Sequence, residues 1–90
     1  MNKERIAFKY CAPEAKAVFL VGSFNGWNTS ANPLKKNKEG TWSTAVNLFP
    51  GTYEYLYVVD GEWRDDPDCG YQMRCINKYG GYNCVLYIEE

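Results

Sequence analysis

The stretch that decides the fold is Val18-Phe19-Leu20-Val21-Gly22-Ser23-Phe24-Asn25-Gly26-Trp27. Its first four residues are β-branched, aromatic or aliphatic, which favours a pleated and largely buried strand. Gly22 and the pair Asn25-Gly26 accept backbone angles that most residues avoid, so a sharp turn is expected directly after the strand. Trp27 follows this turn, where a core residue is not expected. A large flat ring at such a place is either a lid over the core or a platform for a ligand.

Alternation of apolar and polar residues predicts further strands on both sides of this stretch. The strongest period-two patterns cover residues 6–11, 42–48, 53–59 and 83–88, and a short edge strand is expected at 34–36. The pair Asp60-Gly61 is favoured in tight hairpins and would place Trp63 on the returning strand. Residues 64–78 are irregular and polar. Because no segment longer than a turn or two has a helical period, the prediction is an all-β sandwich of six to eight antiparallel strands.

Composition limits the classes of function. Ninety residues form one domain, spanning residues 1–90, and 46% apolar residues are enough for one core. The net charge of -1 provides no basic surface for nucleic acid and no polybasic patch for a membrane. The charged N-terminus is followed by no long apolar stretch, so we expect no signal peptide or membrane helix and a cytoplasmic location. The aromatic share of 17% suits both a core and a site for a polar ligand.

The four cysteines leave three interpretations open. Cys11, Cys69, Cys75 and Cys84 are reduced thiols if the compartment is reducing. In a secreted chain they would form two disulfides, with three possible pairings. A zinc site would normally show paired knuckles of closely spaced cysteines, which are absent from this sequence, so no metal is predicted.

The chain carries no constellation typical of an enzyme. It contains no histidine, the commonest general base, so Cys69 or Cys75 would lack a partner as a nucleophile. Asp65 and Asp66 are paired carboxylates, but adjacent loop residues rarely converge on one substrate, and a glycosidase needs two carboxyl groups across a cleft. We therefore predict no catalytic residues, no cofactor and no enzymatic activity.

Several spaced motifs, in order, resemble a known family. They are Gly22-Ser23-Phe24-Asn25-Gly26-Trp27, Pro33-Leu34, Gly40-Thr41-Trp42, Pro50-Gly51-Thr52-Tyr53-Glu54-Tyr55, Val59-Asp60-Gly61-Glu62-Trp63, Asp66-Pro67 and Tyr79-Gly80-Gly81-Tyr82-Asn83. This order resembles carbohydrate-binding module family 48 (CBM48), the early-set domain at the N-terminus of isoamylases and branching enzymes. It is similar also to the glycogen-binding domain of the AMP-activated protein kinase β subunit. The match covers residues 18–88.

The resemblance implies an immunoglobulin-like, early-set β-sandwich and a non-catalytic module that binds α-1,4-glucan, such as glycogen, starch or maltooligosaccharide. In binding members, tryptophans corresponding to Trp27 and Trp63 stack on sugar rings, and an asparagine corresponding to Asn83 bonds to sugar hydroxyls. The alternative role of Trp63 is to cap the core. The alternative role of Asn83 is to form hydrogen bonds with backbone groups at the start of a strand. Trp42, in the middle of a strand, is expected in the core.

The sequence departs from the family pattern at Leu56, where binding members have a lysine. Leu56 donates no hydrogen bond, so either the affinity is lower or Arg64 or Lys78 supplies the contact. Tyr79, where leucine is common, would add an aromatic wall, and Gly81 removes a hydroxyl that the family often has. The predicted carbohydrate-binding residues are therefore Trp27, Trp63, Asn83, Tyr79, Leu56 and Arg64. The loss of the lysine also favours an alternative, a protein-interaction module that docks on a glucan-metabolising enzyme of the glycoside hydrolase family 13 type.

Overall fold

Two antiparallel sheets make up the computed structural model, which describes residues 2–66, 74–76 and 81–89. The described residues form nine strands and one short 3-10 helix, Ser23–Asn25. The strands are β1 (Glu4–Cys11), β2 (Val18–Gly22), β3 (Asn32–Pro33), β4 (Lys35–Lys36), β5 (Thr41–Leu48), β6 (Gly51–Val59), β7 (Glu62–Arg64), β8 (Arg74–Ile76) and β9 (Tyr82–Ile88).

Strand β6 is the centre of the larger sheet. The smaller sheet has the order β1-β5-β4, and the larger one the order β3-β2-β6-β9-β8, with β7 also paired to β6. One edge of β6 pairs with β2. Along its other edge, the first half of β6 pairs with β9 and the second half with β7. Strands β7 and β9 thus follow one another on the same side of β6.

The core fills the space between the two sheets. Phe8 of β1 lies 5.3 Å from Tyr55 of β6, and Tyr10 lies 5.0 Å from Tyr57, measured between ring centroids. The fully buried Tyr57 donates its hydroxyl to the Lys9 carbonyl across this space, over 3.3 Å. These contacts make the molecule a β-sandwich, so the predicted fold class is confirmed.

Trp42 belongs to this core, as its mid-strand position predicts. Its side chain is buried, and its indole N–H donates to the Ala12 carbonyl over 2.8 Å. The buried polar tip therefore has a hydrogen-bond partner, as indole N–H groups usually do in cores.

The hairpin between β6 and β7 also follows the prediction. Asp60 and Gly61 have φ angles of 49° and 84°, both in the left-handed region that a type I′ turn requires. The Asp60 carboxylate accepts hydrogen bonds from the N–H groups of Lys16 and Ala17 at 2.8 and 2.9 Å. This turn is therefore tied to the segment that leads into β2.

The structure differs from the predicted strands in two places. Strand β8 lies within residues 64–78, which the sequence predicts to be irregular, and it pairs with β9. Its three residues are too few for a period to be visible, and its strand geometry comes from the backbone edge that β9 offers. The predicted edge strand at 34–36 is confirmed as β4, at the edge of the smaller sheet, whereas β3, just before it at the edge of the larger sheet, is a further short strand that the sequence did not predict. Within the described ranges, no helix has the length and apolar character needed to cross a membrane.

Candidate functional site

The outer face of the larger sheet carries the candidate site. Successive side chains of a strand point to opposite faces, so the buried Tyr55 and Tyr57 leave Glu54, Leu56 and Val58 on the other side of β6. We call this side, with the cross-strand neighbours of Glu54, Leu56 and Val58, the outer face.

Trp63 lies on the outer face at the second half of β6. It pairs directly with Val58, whose partner on the opposite edge is Phe19. The Asp60-Gly61 turn reverses the chain, so that β7 runs back along β6. Trp63 is 51% exposed. It is therefore a projecting ring on a paired strand and not a cap buried over the core.

Asn83 lies on the same face, on β9. The last residue pair of the β6–β9 ladder is Tyr55 with Cys84, so Asn83 follows at the position opposite Leu56. Its side chain is only 8% exposed, and its Nδ2 donates to Glu54 Oε1 over 3.1 Å. The structure thus shows Asn83 bonded to a side chain of the outer face.

Leu56 forms the apolar floor between these two residues. It pairs with Val21 on β2 and lies two residues before Val58, the partner of Trp63. Leu56 is 7% exposed although it is on the outer face. The site therefore combines a projecting indole, an apolar floor and a buried amide, with Trp63, Leu56 and Asn83 brought together from β7, β6 and β9.

Trp27 occupies a different place, beyond the end of β2. Its N–H donates to the Gly22 carbonyl over 2.9 Å, and Gly22 ends β2, on the edge of β6 opposite to β7. Trp27 is 37% exposed, and its φ of 60° is in the left-handed region, which costs a bulky residue about 1–3 kcal/mol. The strand end that anchors Trp27 and the strand that carries Trp63 thus flank β6 on opposite sides.

Asn25 maintains the strained turn before Trp27. Its Oδ1 accepts from the Gly22 N–H over 3.1 Å, and its Nδ2 donates to the Leu20 carbonyl and to Asn32 Oδ1 at 3.1 and 2.7 Å. Gly26 supplies a second left-handed position, with φ 67°. This network ties the turn to both β2 and β3, which keeps the indole in an exposed position.

The structure does not bring Arg64 to the outer face. Arg64 pairs with Tyr57, so it points to the side of the sheet opposite to Trp63, and it forms an ion pair with Glu62. Its part in sugar binding stays a prediction. Tyr79 and Lys78 lie outside the described residues, so their predicted roles also stay predictions.

The two adjacent aspartates serve different purposes. Asp66 is buried, and its Oδ2 accepts a hydrogen bond from the Tyr55 hydroxyl over 2.6 Å, whereas Asp65 is exposed. Burial, and then the hydrogen bond to Asp66, raise the pKa of the Tyr55 phenol well above its ordinary value. Asp66 therefore has a structural partner in the core, and the pair does not form an acid and a base facing one substrate.

Cys11 and Cys84, the cysteines whose side chains the structure describes, occupy separate places. Cys11 is a free, exposed thiol on β1, and Cys84 is fully buried between the sheets, where its Sγ accepts the Asp66 N–H over 3.4 Å. Cys69 lies outside the described residues. Among residues that the structure does describe, no group of three or more Cys, Asp or Glu could hold a metal ion.

Glu54 is the site residue that sequence reasoning missed. Its carboxylate lies on the outer face and holds the Asn83 amide. The available signal was its alternation with Leu56 and Val58 along β6, but nothing local indicated that Asn83 would arrive beside it.

The chain is similar in sequence to several known proteins. A family model described as the glycogen recognition site of AMP-activated protein kinase matches residues 5–90. The chain is similar to Protein PTST homolog 2, chloroplastic, of Arabidopsis thaliana, with 42% identity over 82% of this chain and 13% of that protein. It is 47% identical to Protein FLOURY ENDOSPERM 6, chloroplastic, of Oryza sativa subsp. japonica, over 74% of this chain and 12% of that protein.

A third relative is the 5'-AMP-activated protein kinase subunit beta-2 of Homo sapiens, which is 36% identical over 83% of this chain and 26% of that subunit. The chain thus spans between about an eighth and a quarter of the length of these three relatives.

Proposed function

Since the chain belongs to the family of the glycogen recognition site of AMP-activated protein kinase, we propose that its outer face binds α-1,4-glucan without catalysing a reaction on it. The family match confirms the resemblance drawn from the sequence motifs. The observation that carries the proposal is the placement of an exposed Trp63 beside Leu56 and Asn83 on one sheet face.

The chemistry of a glucose ring suits this arrangement. The ring has an apolar face of C–H groups, which packs on a flat indole, and a rim of hydroxyls that need hydrogen-bond partners. Trp63 supplies the flat surface, and the Asn83–Glu54 pair supplies amide and carboxylate groups beside it. Trp27, whose turn is anchored at the opposite edge of β6, offers a second exposed ring for a further sugar.

The expected affinity is modest. If Trp63 covers on the order of 100 Å² of apolar sugar surface, stacking contributes about 2.5 kcal/mol at ~25 cal/mol/Å². Two rings and a few hydrogen bonds, set against the entropy lost on association, correspond to a Kd of roughly 10 μM to 1 mM. Such an affinity is effective on a polymer because its binding sites are repeated many times.

A non-catalytic role fits the described side chains. The Asp66 carboxylate is turned into the core towards Tyr55, and Glu54 is bonded to Asn83. Hydrolysis of a glycosidic bond by the usual mechanism requires two carboxyl groups flanking the scissile bond. On the outer face, Glu54 lies on a paired strand and is bonded to Asn83, which suits binding rather than cleavage.

Isothermal titration with maltoheptaose and co-sedimentation with glycogen test this function. We expect Trp63→Ala to weaken binding at least about tenfold, since the stacking term above corresponds to roughly 70-fold at most. Phe49→Ala is the matched control, because Phe49 is a similarly exposed aromatic residue at the turn between β5 and β6, under the Lys3 ammonium. Unchanged binding by Trp63→Ala, with circular dichroism showing a folded protein, would overturn the proposal.

A second candidate function is docking on a glucan-metabolising enzyme of the glycoside hydrolase family 13 type. The observation that favours it is Leu56, which replaces the lysine of binding members by an apolar side chain, next to the buried Val21 and Val58. This candidate predicts no heat with maltoheptaose at millimolar concentration and a stable complex with the catalytic domain of such an enzyme. It also predicts that Trp63→Ala, at the exposed ring of the same face, weakens that complex.

A further inference from the structure

We propose that Tyr87 forms a distal subsite on the outer face, so that the domain binds long α-glucan chains better than short ones. This inference rests on the proposed function, because it extends the same face. Nothing in the sequence motifs points to Tyr87, which lies within the strand predicted at 83–88.

The first observation is exposure. Tyr87 is 59% exposed, more than Trp63 or Trp27. It is on β9, where the residues at alternate positions, Leu86 and Ile88, are packed against or within the core. Tyr87 therefore points to the outer face, and it is an aromatic ring that the core does not use.

The second observation is alignment. Strand β7 and strand β9 follow one another along the same edge of β6. The residues opposite Val58, Leu56, Glu54 and Thr52 are, in order, Trp63, Asn83, Val85 and Tyr87, where Asn83 continues the β6–β9 register by one residue. These four residues form one column of side chains on the outer face, and Tyr87 and Trp63 are its two ends.

The third observation is the separation of the two rings. Their partners Val58 and Thr52 are six positions apart on β6, which is about 20 Å at roughly 3.4 Å per residue. Maltotriose is too short to stack on both rings, whereas maltoheptaose in an extended course is long enough. Between the rings, the Asn83–Glu54 pair provides polar groups for the intervening sugars.

A tyrosine suits the end of such a column. Its ring offers a flat apolar surface for the C–H face of a sugar, and its hydroxyl remains in water or bonds to a sugar hydroxyl. Thr52, the direct partner of Tyr87, adds a further hydroxyl at the same row. The ligand is therefore a single glucan chain that runs along the column from Trp63 to Tyr87.

The test compares two ligand lengths in the intact protein by titration, with maltotriose and maltoheptaose as the probes. We expect Tyr87→Ala to weaken maltoheptaose binding about fivefold, a typical effect of one aromatic contact, and to change maltotriose binding less than twofold. Tyr87→Phe keeps the ring and is expected to retain most of the maltoheptaose affinity.

Tyr82→Ala is the matched control, because Tyr82 is on the same strand, is 51% exposed and lies at the opposite parity, in register with Ile76. Equal effects of Tyr87→Ala on the two ligands, or no effect on either, would overturn the distal subsite while the proposed function stands. If the wild-type protein binds neither ligand, both proposals are overturned.

Discussion

Asn83 donates its side-chain amide to Glu54 across the outer face, over 3.1 Å, although the direct partner of Glu54 in the β6–β9 ladder is Val85. The bond therefore runs diagonally between the two strands, from near the start of β9 to the middle of β6. A hydrogen bond to a carboxylate is roughly twice as strong as one between neutral groups. We infer that Glu54 sets the orientation in which Asn83 meets a ligand.

The first prediction concerns this pair. Glu54→Ala should weaken maltoheptaose binding about three- to tenfold, because the hydrogen bond that orients the Asn83 amide is lost. Such a bond contributes about 1–1.5 kcal/mol. Glu54→Gln keeps an acceptor oxygen but loses the charge, so its affinity should lie between those of wild type and the alanine variant. The measurement is isothermal titration of the single variants and of Glu54→Ala combined with Asn83→Ala. If the free-energy changes of the two alanine substitutions simply add in the double variant, the two residues are not coupled.

The second prediction concerns Leu56. Leu56→Lys should raise the affinity for maltoheptaose about threefold or more, because the lysine stem keeps an apolar contact with Val21 while its ammonium donates a hydrogen bond at the surface. The outer-face carboxylate of Glu54 lies two residues away on the same strand face and favours that charge. Leu56→Met serves as the control, since it has a similar length and no donor. Equal titration curves for the lysine and methionine variants would show that this position does not limit sugar binding.

The third prediction concerns pH. In the unfolded chain, Tyr55 titrates near its ordinary pKa of about 10, whereas in the folded protein burial and Asp66 keep it protonated to higher pH. Above about pH 10, the folded state therefore binds more protons than the unfolded chain does. The stability that the protonated Tyr55 contributes is fully present below that pH. The free energy of unfolding should fall above it by up to about 1.4 kcal/mol per pH unit.

Urea unfolding of wild type and Tyr55→Phe at several pH values checks this prediction. The variant should lose about 1.5–3 kcal/mol near neutral pH through the missing hydrogen bond to Asp66. It should also show a shallower decline above pH ~10, because the phenol is gone. Parallel declines in the two proteins would exclude Tyr55 as the group responsible.

The fourth prediction concerns the turn before Trp63. Asp60→Ala should lower the free energy of unfolding by about 1–3 kcal/mol, because Asp60 accepts the N–H groups of Lys16 and Ala17 and adopts a positive φ. Asp60→Asn should stay within about 0.5 kcal/mol of wild type, since asparagine keeps an acceptor oxygen and tolerates the left-handed region. Denaturant unfolding measures both variants, and a stable alanine variant would show that the hairpin alone maintains this corner.

The outcome at particular residues shows how far a local pattern reaches. Alternation correctly placed Trp42 in the core, and the Asp60-Gly61 pair correctly predicted the hairpin that exposes Trp63. The same alternation would have put Arg64 on the opposite side from Trp63, since the two are adjacent in one strand. Strand β8 had no local signal, because its pairing depends on β9, whose edge becomes available only in the folded sheet.

The sequence by itself determined which side chains point inward and where the chain turns, because the pleat of a strand and the backbone angles of glycine, asparagine and aspartate act over a few residues. The tertiary structure decided which strands became neighbours. It placed Asn83 beside Leu56 and Glu54, anchored the turn before Trp27 at the edge of β6 opposite to the strand that carries Trp63, and aligned Tyr87 with Trp63. These relationships join residues that are distant in the chain, so they follow from the packing of both sheets around one core, which no local pattern records.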